Sequence, residues 1–334
     1  MKIFALGNTN EYLDEAQKNI TKKLCSDLSM LHKMQYENAK ANLFSFHFWK
    51  RISAFDPDVI HIFLRPTLFV LCYALLMKIL FQRSMIVVSA LQPPQISSLF
   101  SSLIKVASPH LFIVLSYSTK KTLEDYSAKA RVLPCGVDRE KFAPVGYDEK
   151  FSLRKKYSVP LEAYVTLHVG HATKGRNLEI LRGQVGNDIL VIFVSSKSFS
   201  FEKELLEAMT QSGCRIFSEY LERIEEIYQL ADCYVFPTQN ANNAVDLPLS
   251  VLEAMACDLP VITTRFGALP ELFQEDDSLH YFDGSSASLH AKIQNLRASQ
   301  RTSSNREKVI GFDWKVAVRK LENIYQDLIS GSIT

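Results

Sequence analysis

MIVVSALQPPQISSLFSSLIKVASPHLFIVLS, residues 85–116, decides the fold. It opens and closes on apolar runs, MIVVSA (85–90) and LFIVLS (111–116), which read as strands buried on both faces in a parallel sheet. Between them Ile96, Leu99, Phe100, Leu103 and Ile104 recur at helical spacing, with Ser97, Ser98, Ser101 and Ser102 opposite. That pattern predicts an amphipathic helix over 95–106 whose apolar stripe belongs to the core rather than to a membrane. Strand, crossover helix and strand make a βαβ unit.

The same alternation extends both ways. KIFAL (2–6) and DVIHIF (58–63) precede the quoted stretch. After VGYDEK (145–150) a second series begins: AYVTLHV (163–169), DILVIFV (188–194), CRIF (214–217), CYVF (233–236) and PVITT (260–264). Two consecutive series predict an α/β protein of two doubly wound, Rossmann-like domains, 1–150 and 151–312. A final helix follows in 313–334, with Trp314, Val318, Leu321 and Tyr325 on one face, packing back toward the N-terminal domain. Ligands of such sheets bind beyond the carboxyl ends of the strands, so a cleft between the domains is the expected site.

A chain of 334 residues exceeds what one core usually organises, and 47% apolar with 22% charged residues excludes a disordered or disulfide-built class. Six scattered cysteines without a C-x-x-C pair predict a reducing compartment and no zinc site. The N-terminal apolar stretch of MKIFALGNTNE is too short for a signal peptide, and Lys78 ends the apolar run 68–77 before it could span a bilayer. A cytoplasmic protein is expected. Residues 1–150 hold 19 Lys/Arg against 13 Asp/Glu, and no acid occurs from Val59 to Leu123. An acid-free basic stretch predicts an anionic partner, such as a charged acceptor or the inner face of a membrane, with nothing pointing to nucleic acid.

Three segments carry candidate chemistry. In DLPLSVLEAMACDLPVITT (246–264), Pro248 and Ser250 precede a helix whose first amides, Leu249 to Leu252, would receive phosphate, with Ser250 or a neighbour as cap. Glu253 lies where a carboxylate either accepts sugar hydroxyls or simply complements the helix dipole. HVGHATKGRN (168–177) follows a strand, with Gly170 and Gly175 for tight turns and Lys174 and Arg176 for phosphate. VLPCGVDREKFAP (132–144) reads as an ordered connector. Walker A, G-x-G-x-x-G, H-E-x-x-H and G-x-S-x-G motifs are absent. Asp56-Pro57-Asp58 reads as a turn, His61 as a core histidine, and Glu275 to Asp277 as a solvated loop.

In this order and spacing the segments resemble the retaining glycosyltransferases of the GT-B fold, family 4 (glycosyl transferases group 1). That family carries a P-N-G-V-D-x-x-x-F-x-P connector, a G-R-x-x-x-K-G donor loop and an E-x7-E motif running into L-E-A-M-A. The likeness continues in PDVIHIF (57–63), LADCYVFPT (230–238), FGALPELF (266–273) and DWKVAVRKLENIY (313–325). It implies transfer of a sugar, of hexosyltransferase type, from a UDP- or GDP-sugar co-substrate to a glycan, lipid-linked or other anionic acceptor. Configuration would be retained without a bound metal or other cofactor. Glu253 matches the second glutamate, expected on the donor ribose, and Lys174 the lysine that neutralises the leaving diphosphate.

Departures from the pattern accompany the matches. Val245 stands where the first glutamate belongs, so Asp246, one residue displaced, is the substitute catalytic and donor-binding group. His171 occupies the place of the donor-loop arginine, with Arg176 compensating, and Gln92 falls where many members have an acceptor-side histidine. The first loop is reduced to GNTNE (7–11), leaving Asn8 on the acceptor side. These departures keep open a noncatalytic nucleotide-sugar-binding or partner subunit of a glycosylation complex, and a sugar-nucleotide epimerase beside it.

Overall fold

Each run read as a strand from the sequence is a strand in the computed structural model, which describes residues 1–7, 16–38, 45–173, 175–186, 188–195, 203–299 and 303–332, whereas the apolar run 68–77 is helical. The first sheet contains β1 (Lys2–Gly7), β2 (Lys33–Asn38), β3 (Val59–Ile62), β4 (Met85–Ala90), β5 (Leu111–Val114) and β6 (Ala130–Val132). Their order is β2-β1-β3-β4-β5-β6, all parallel. Central strands are buried along their length, as their continuous apolar runs require. The two edge strands are partly exposed and leave no such run to read, β2 because it is polar and β6 because it is only three residues long.

Helices α1 (Ala16–Ser29), α2 (Phe46–Phe55), α3 (Leu68–Leu80), α4 (Ser98–Ala107) and α5 (Tyr117–Glu124) accompany this sheet. The last three begin just beyond the carboxyl ends of β3, β4 and β5. Thr67, Ser97 and Ser116 cap them by accepting from the amides of Val70, Phe100 and Thr119. The cap at Ser97 divides the stripe predicted for 95–106. Phe100 and Ile104 are buried, but Ile96 precedes the helix and Leu99 faces solvent at 62% exposure.

The second sheet has β7 (Tyr164–Val169), β8 (Ile189–Val194), β9 (Arg215–Phe217), β10 (Cys233–Phe236), β11 (Val261–Thr263) and β12 (Leu279–Tyr281), in the order β12-β11-β10-β7-β8-β9, again parallel. The chain runs outward from β7 on one side and from β10 on the other, so strand order reverses between them. In the first sheet the reversal lies between β1 and β3. Helices α6 (Tyr147–Lys156), α7 (Lys203–Gln211), α8 (Glu225–Leu230), α9 (Leu249–Ala256) and α10 (Ser286–Ser299) belong here, and α11 (Trp314–Ile329) closes the chain.

The chain divides into two compact units. One comprises Met1–Cys135, Val245–Leu247 and Trp314–Thr334; the other comprises Gly136–Ala244 and Pro248–Asp313. Residues 136–150, read from the sequence with the first domain, cluster with the second unit, where Phe142 packs edge-on against Tyr228. Helix α11 clusters with the first unit and buries Trp314, Val318, Leu321 and Tyr325 there, the face that its sequence marks.

Candidate functional site

The second unit assembles a polar site from the loop after β7 and the start of α9. Helix α9 begins at Leu249 with Pro248 at the N-cap, so Ser250 is not the cap, and the cap residue makes no side-chain bond to the first amides. Proline at that position has the backbone geometry to start a helix but no hydroxyl to offer. The amides of Val251 and Leu252 turn back to the Pro248 carbonyl at 3.2 and 3.4 Å. The Leu249 and Ser250 amides precede any intrahelical acceptor, which is the geometry that receives an anion.

Glu253 sits in the second turn of α9, and its carboxylate accepts from the Tyr228 hydroxyl at 2.7 Å. Burial pushes this carboxyl above the usual range, while the Tyr228 bond and the charge of Lys141 act in the opposite direction. Tyr228 is fully buried and stacks on Tyr234 at 5.9 Å between ring centroids. Tyr234 in turn ties the two halves of the site together. Its hydroxyl donates to the Val169 carbonyl at 3.3 Å, at the end of β7, and also bonds the Ser250 side chain.

The loop after β7 holds Arg176, which is 8% exposed. Its Nε and Nη2 donate to the Asn243 carbonyl at 2.9 and 2.5 Å, and no carboxylate pairs with it among the described residues. Burial lowers its pKa to about 10. A buried guanidinium balanced by a carbonyl alone is an incompletely neutralised cation, since buried charges are ordinarily paired. Gly170 makes room for it: a Cβ there would lie 2.6 Å from Arg176 Nη1 and 3.1 Å from His168 Nε2. Gly175 takes a φ of +84° and packs on the Asn243 side chain, so any other residue would be strained and crowded. His171 is half-buried in the same loop, its carbonyl accepting from the Thr173 amide at 3.0 Å. Lys174 lies outside the described residues, as does Asn8.

His168, in β7, is completely buried; its Nδ1 donates to the Val235 carbonyl at 2.8 Å, and Nε2 has no hydrogen-bond partner among the described residues. Desolvation drives its pKa down to about 3, so the ring is neutral at physiological pH. Tyr228, Tyr234, Asn243 and His168 are the residues that motif reading did not assign to the site. For the tyrosines and His168 the signal was a polar ring within an apolar segment, whose polar atoms require partners once buried, while Asn243, in a polar loop, carried none.

Asp246 and Gln92 belong to the first unit. Asp246 is 3% exposed; Oδ2 accepts from the Ser116 hydroxyl and from Thr119 Oγ1 at 3.0 Å, and its amide donates to the Leu91 carbonyl at 2.8 Å. Gln92, next to Leu91 and half-buried, follows β4. These contacts place Oδ2 of Asp246 at the cap of α5. Among the described residues no group of three or more His, Cys, Asp and Glu is placed to hold a metal ion.

Residues 176–299 match the family of glycosyl transferases group 1, a span that begins at Arg176 and includes Glu253. A sulfoquinovosyl transferase of Arabidopsis thaliana is 26% identical over 201 residues, covering 56% of this chain and 38% of that protein. Across five curated relatives the matched region spans 28% to 59% of their own lengths. A glycosyltransferase from Rickettsia africae superposes with a TM-score of 0.80 at 16% identity, covering 98% of each chain. HepE of Anabaena, solved with UDP, superposes with a TM-score of 0.77 at 14% identity over 98% of this chain and all of its own. The fold is GT-B, and the chain resembles the group 1 glycosyltransferases.

Proposed function

We propose that the chain is a retaining glycosyltransferase that takes a sugar from a UDP- or GDP-sugar and passes it to a glycan, lipid-linked or other anionic acceptor. The observation that carries this reading is Arg176, a cation buried just after β7 with no carboxylate partner among the described residues, packed into the room that the missing side chain of Gly170 leaves. A diphosphate is the anion that such a cation suits, and the uncapped start of α9 offers it amides in the same unit. In this reading Glu253, kept available as an acceptor by Tyr228, takes the ribose hydroxyls. Lys174 and Arg176 supply the positive charge for the departing diphosphate in place of a metal. HepE, a structural neighbour of this chain, is solved with UDP-glucose as well as UDP, which supports a nucleotide-sugar donor.

A second reading, a noncatalytic nucleotide-sugar binder, is favoured by Asp246, whose Oδ2 accepts from Ser116 and Thr119 and whose neighbour Val245 replaces an acid. Incubating the protein with UDP- and GDP-sugars and acceptor extracts, with NMR of the anomeric proton and calorimetry on the same samples, separates the two. Turnover with retained configuration establishes the transferase. Binding without turnover under any acceptor establishes the binder. No nucleotide binding removes both.

A further inference from the structure

The first unit carries a surface whose chemistry the proposed activity does not use. Helix α3 is apolar nearly all round. It buries Val70, Leu71, Tyr73, Ala74 and Met77, yet leaves Phe69, Leu76, Ile79 and Leu80 between 41% and 58% exposed. Residues 69, 72, 76 and 79 to 80 recur at helical spacing, so they form one stripe along the face turned from the core. Helix α4 packs beside α3, with Lys78 Nζ donating to the Ser108 carbonyl at 3.0 Å, and adds exposed Leu99 and Val106, two helical turns apart on one side. A helix apolar on all sides belongs in a core or in lipid, and a contiguous exposed apolar patch marks an interaction surface.

Charge identifies the occupant. From Val59 to Leu123 there is no acidic side chain, while Lys78 lies in α3, Arg83 just beyond it, Lys105 in α4 and Lys121 in α5. Arg83 and Lys105 are themselves exposed. Two copies of this chain meeting through the patch would oppose these like charges. An anionic bilayer satisfies both features: headgroups meet the lysines and arginines, and the acyl boundary takes the apolar stripe. Neither helix is long and apolar enough to cross a membrane, so the surface lies in the interface plane.

We infer that α3 and α4 form a docking surface for an anionic lipid bilayer. The inference stands on the first unit alone. Its test contains no nucleotide or acceptor, so its failure leaves the proposed activity untouched.

The native chain is sedimented with phosphatidylcholine vesicles, and with vesicles containing about 30% phosphatidylglycerol, at about 0.05 M and about 0.5 M salt. Recovery with anionic vesicles at low salt is expected to exceed that with neutral ones at least about tenfold, and to fall at high salt, since each basic residue near the surface is worth roughly fivefold in affinity. Leu76→Gln and Ile79→Gln, at exposed positions, each weaken anionic binding about tenfold with melting unchanged. Arg83→Glu with Lys105→Glu abolishes the preference for anionic vesicles. Equal recovery with neutral and anionic vesicles at low salt overturns the inference. So does a dimer in sedimentation velocity that Leu76→Gln and Ile79→Gln dissolve while vesicle binding is unchanged. The vesicle comparison on the native chain decides even where a variant fails to fold.

Discussion

His61 and His168 occupy matching places in the two units, each in a strand beside the reversal of strand order, and both are completely buried. Their surroundings differ. In the first unit Nδ1 lies 2.5 Å from the Tyr325 hydroxyl of α11 and Nε2 lies 2.7 Å from Ser89 Oγ, so both ring nitrogens are bonded. In the second unit His168 bonds Val235 through one nitrogen, and the other, near Gly170 and Arg176, has no partner among the described residues. One reversal point is closed by a side-chain network that includes the tail helix. The other keeps an acceptor and a cation incompletely matched. Ligand sites concentrate at such reversal points, and unsatisfied buried polar groups mark where a ligand or water completes the structure.

The largest expected effect tests the closed side of this contrast. His61→Phe would leave the Tyr325 and Ser89 hydroxyls buried without partners and is expected to cost about 3 to 5 kcal/mol, against about 1 to 2 kcal/mol for His168→Phe. Both tryptophans, Trp49 and Trp314, lie in the first unit. Urea unfolding followed by tryptophan fluorescence therefore reports that unit, and far-ultraviolet circular dichroism reports both. Equal losses for the two variants would erase the distinction between a closed and an open reversal point.

Acid should expose the same pair. Desolvation drives both histidines down to about 3, from an ordinary value of about 6.5. Above pH 6.5 the ring is neutral folded and unfolded, and its environment imposes no pH dependence. Below it the unfolded chain binds a proton that the folded chain refuses, so stability falls as pH falls, by about 1.4 kcal/mol per pH unit per histidine between roughly pH 6 and 4. His110 and His280 are lowered in the same direction and add to the slope. His61→Phe should flatten the fluorescence-detected slope and His168→Phe should not. The reverse result would place the acid-sensitive group in the wrong unit.

The contrast also explains what could be read before any coordinates. Strands such as β3 and β10 were legible because both faces are buried and the apolar run is continuous. Strands β2, β6 and β12 were not, since short edge strands need no such run. Glu253 and Arg176 were legible through motif spacing. Their partners were not, because Tyr228 and Asn243 act through contacts distant in sequence, at |i−j| of 25 and 67. The same applies to Asp246, where spacing suggested a ligand group and the fold supplies Ser116 and Thr119 from 130 and 127 residues away.

The open side is tested next by Arg176→Met, which keeps an unbranched apolar stem and removes the charge. Buried charges contribute little net stability when replaced by apolar groups of similar shape, so the melting temperature should change little. Affinity for UDP, read by calorimetry, should fall about tenfold to a hundredfold, the value of one or two charge-assisted hydrogen bonds. Loss of stability with unchanged affinity would make Arg176 a structural link to Asn243 and nothing more.

The smallest effect is the most discriminating, because it separates a positioning residue from a packing one. Tyr228→Phe keeps the ring against Tyr234 and Phe142 and deletes only the hydroxyl that donates to Glu253. Stability should fall by about 1 kcal/mol, the net worth of one such bond. The Glu253 carboxyl, already raised by burial, loses the contact that holds it down, so its pKa in the variant rises further. An ionised Glu253 is what accepts the ribose hydroxyls in the proposed complex. Affinity for UDP should therefore fall by about threefold to tenfold near neutrality, and the loss on acidification should set in at a higher pH than in the native chain. Calorimetric titrations across the acidic range read that displacement directly. An unshifted profile with lowered stability would assign Tyr228 to packing and leave Glu253 to hold its charge unaided.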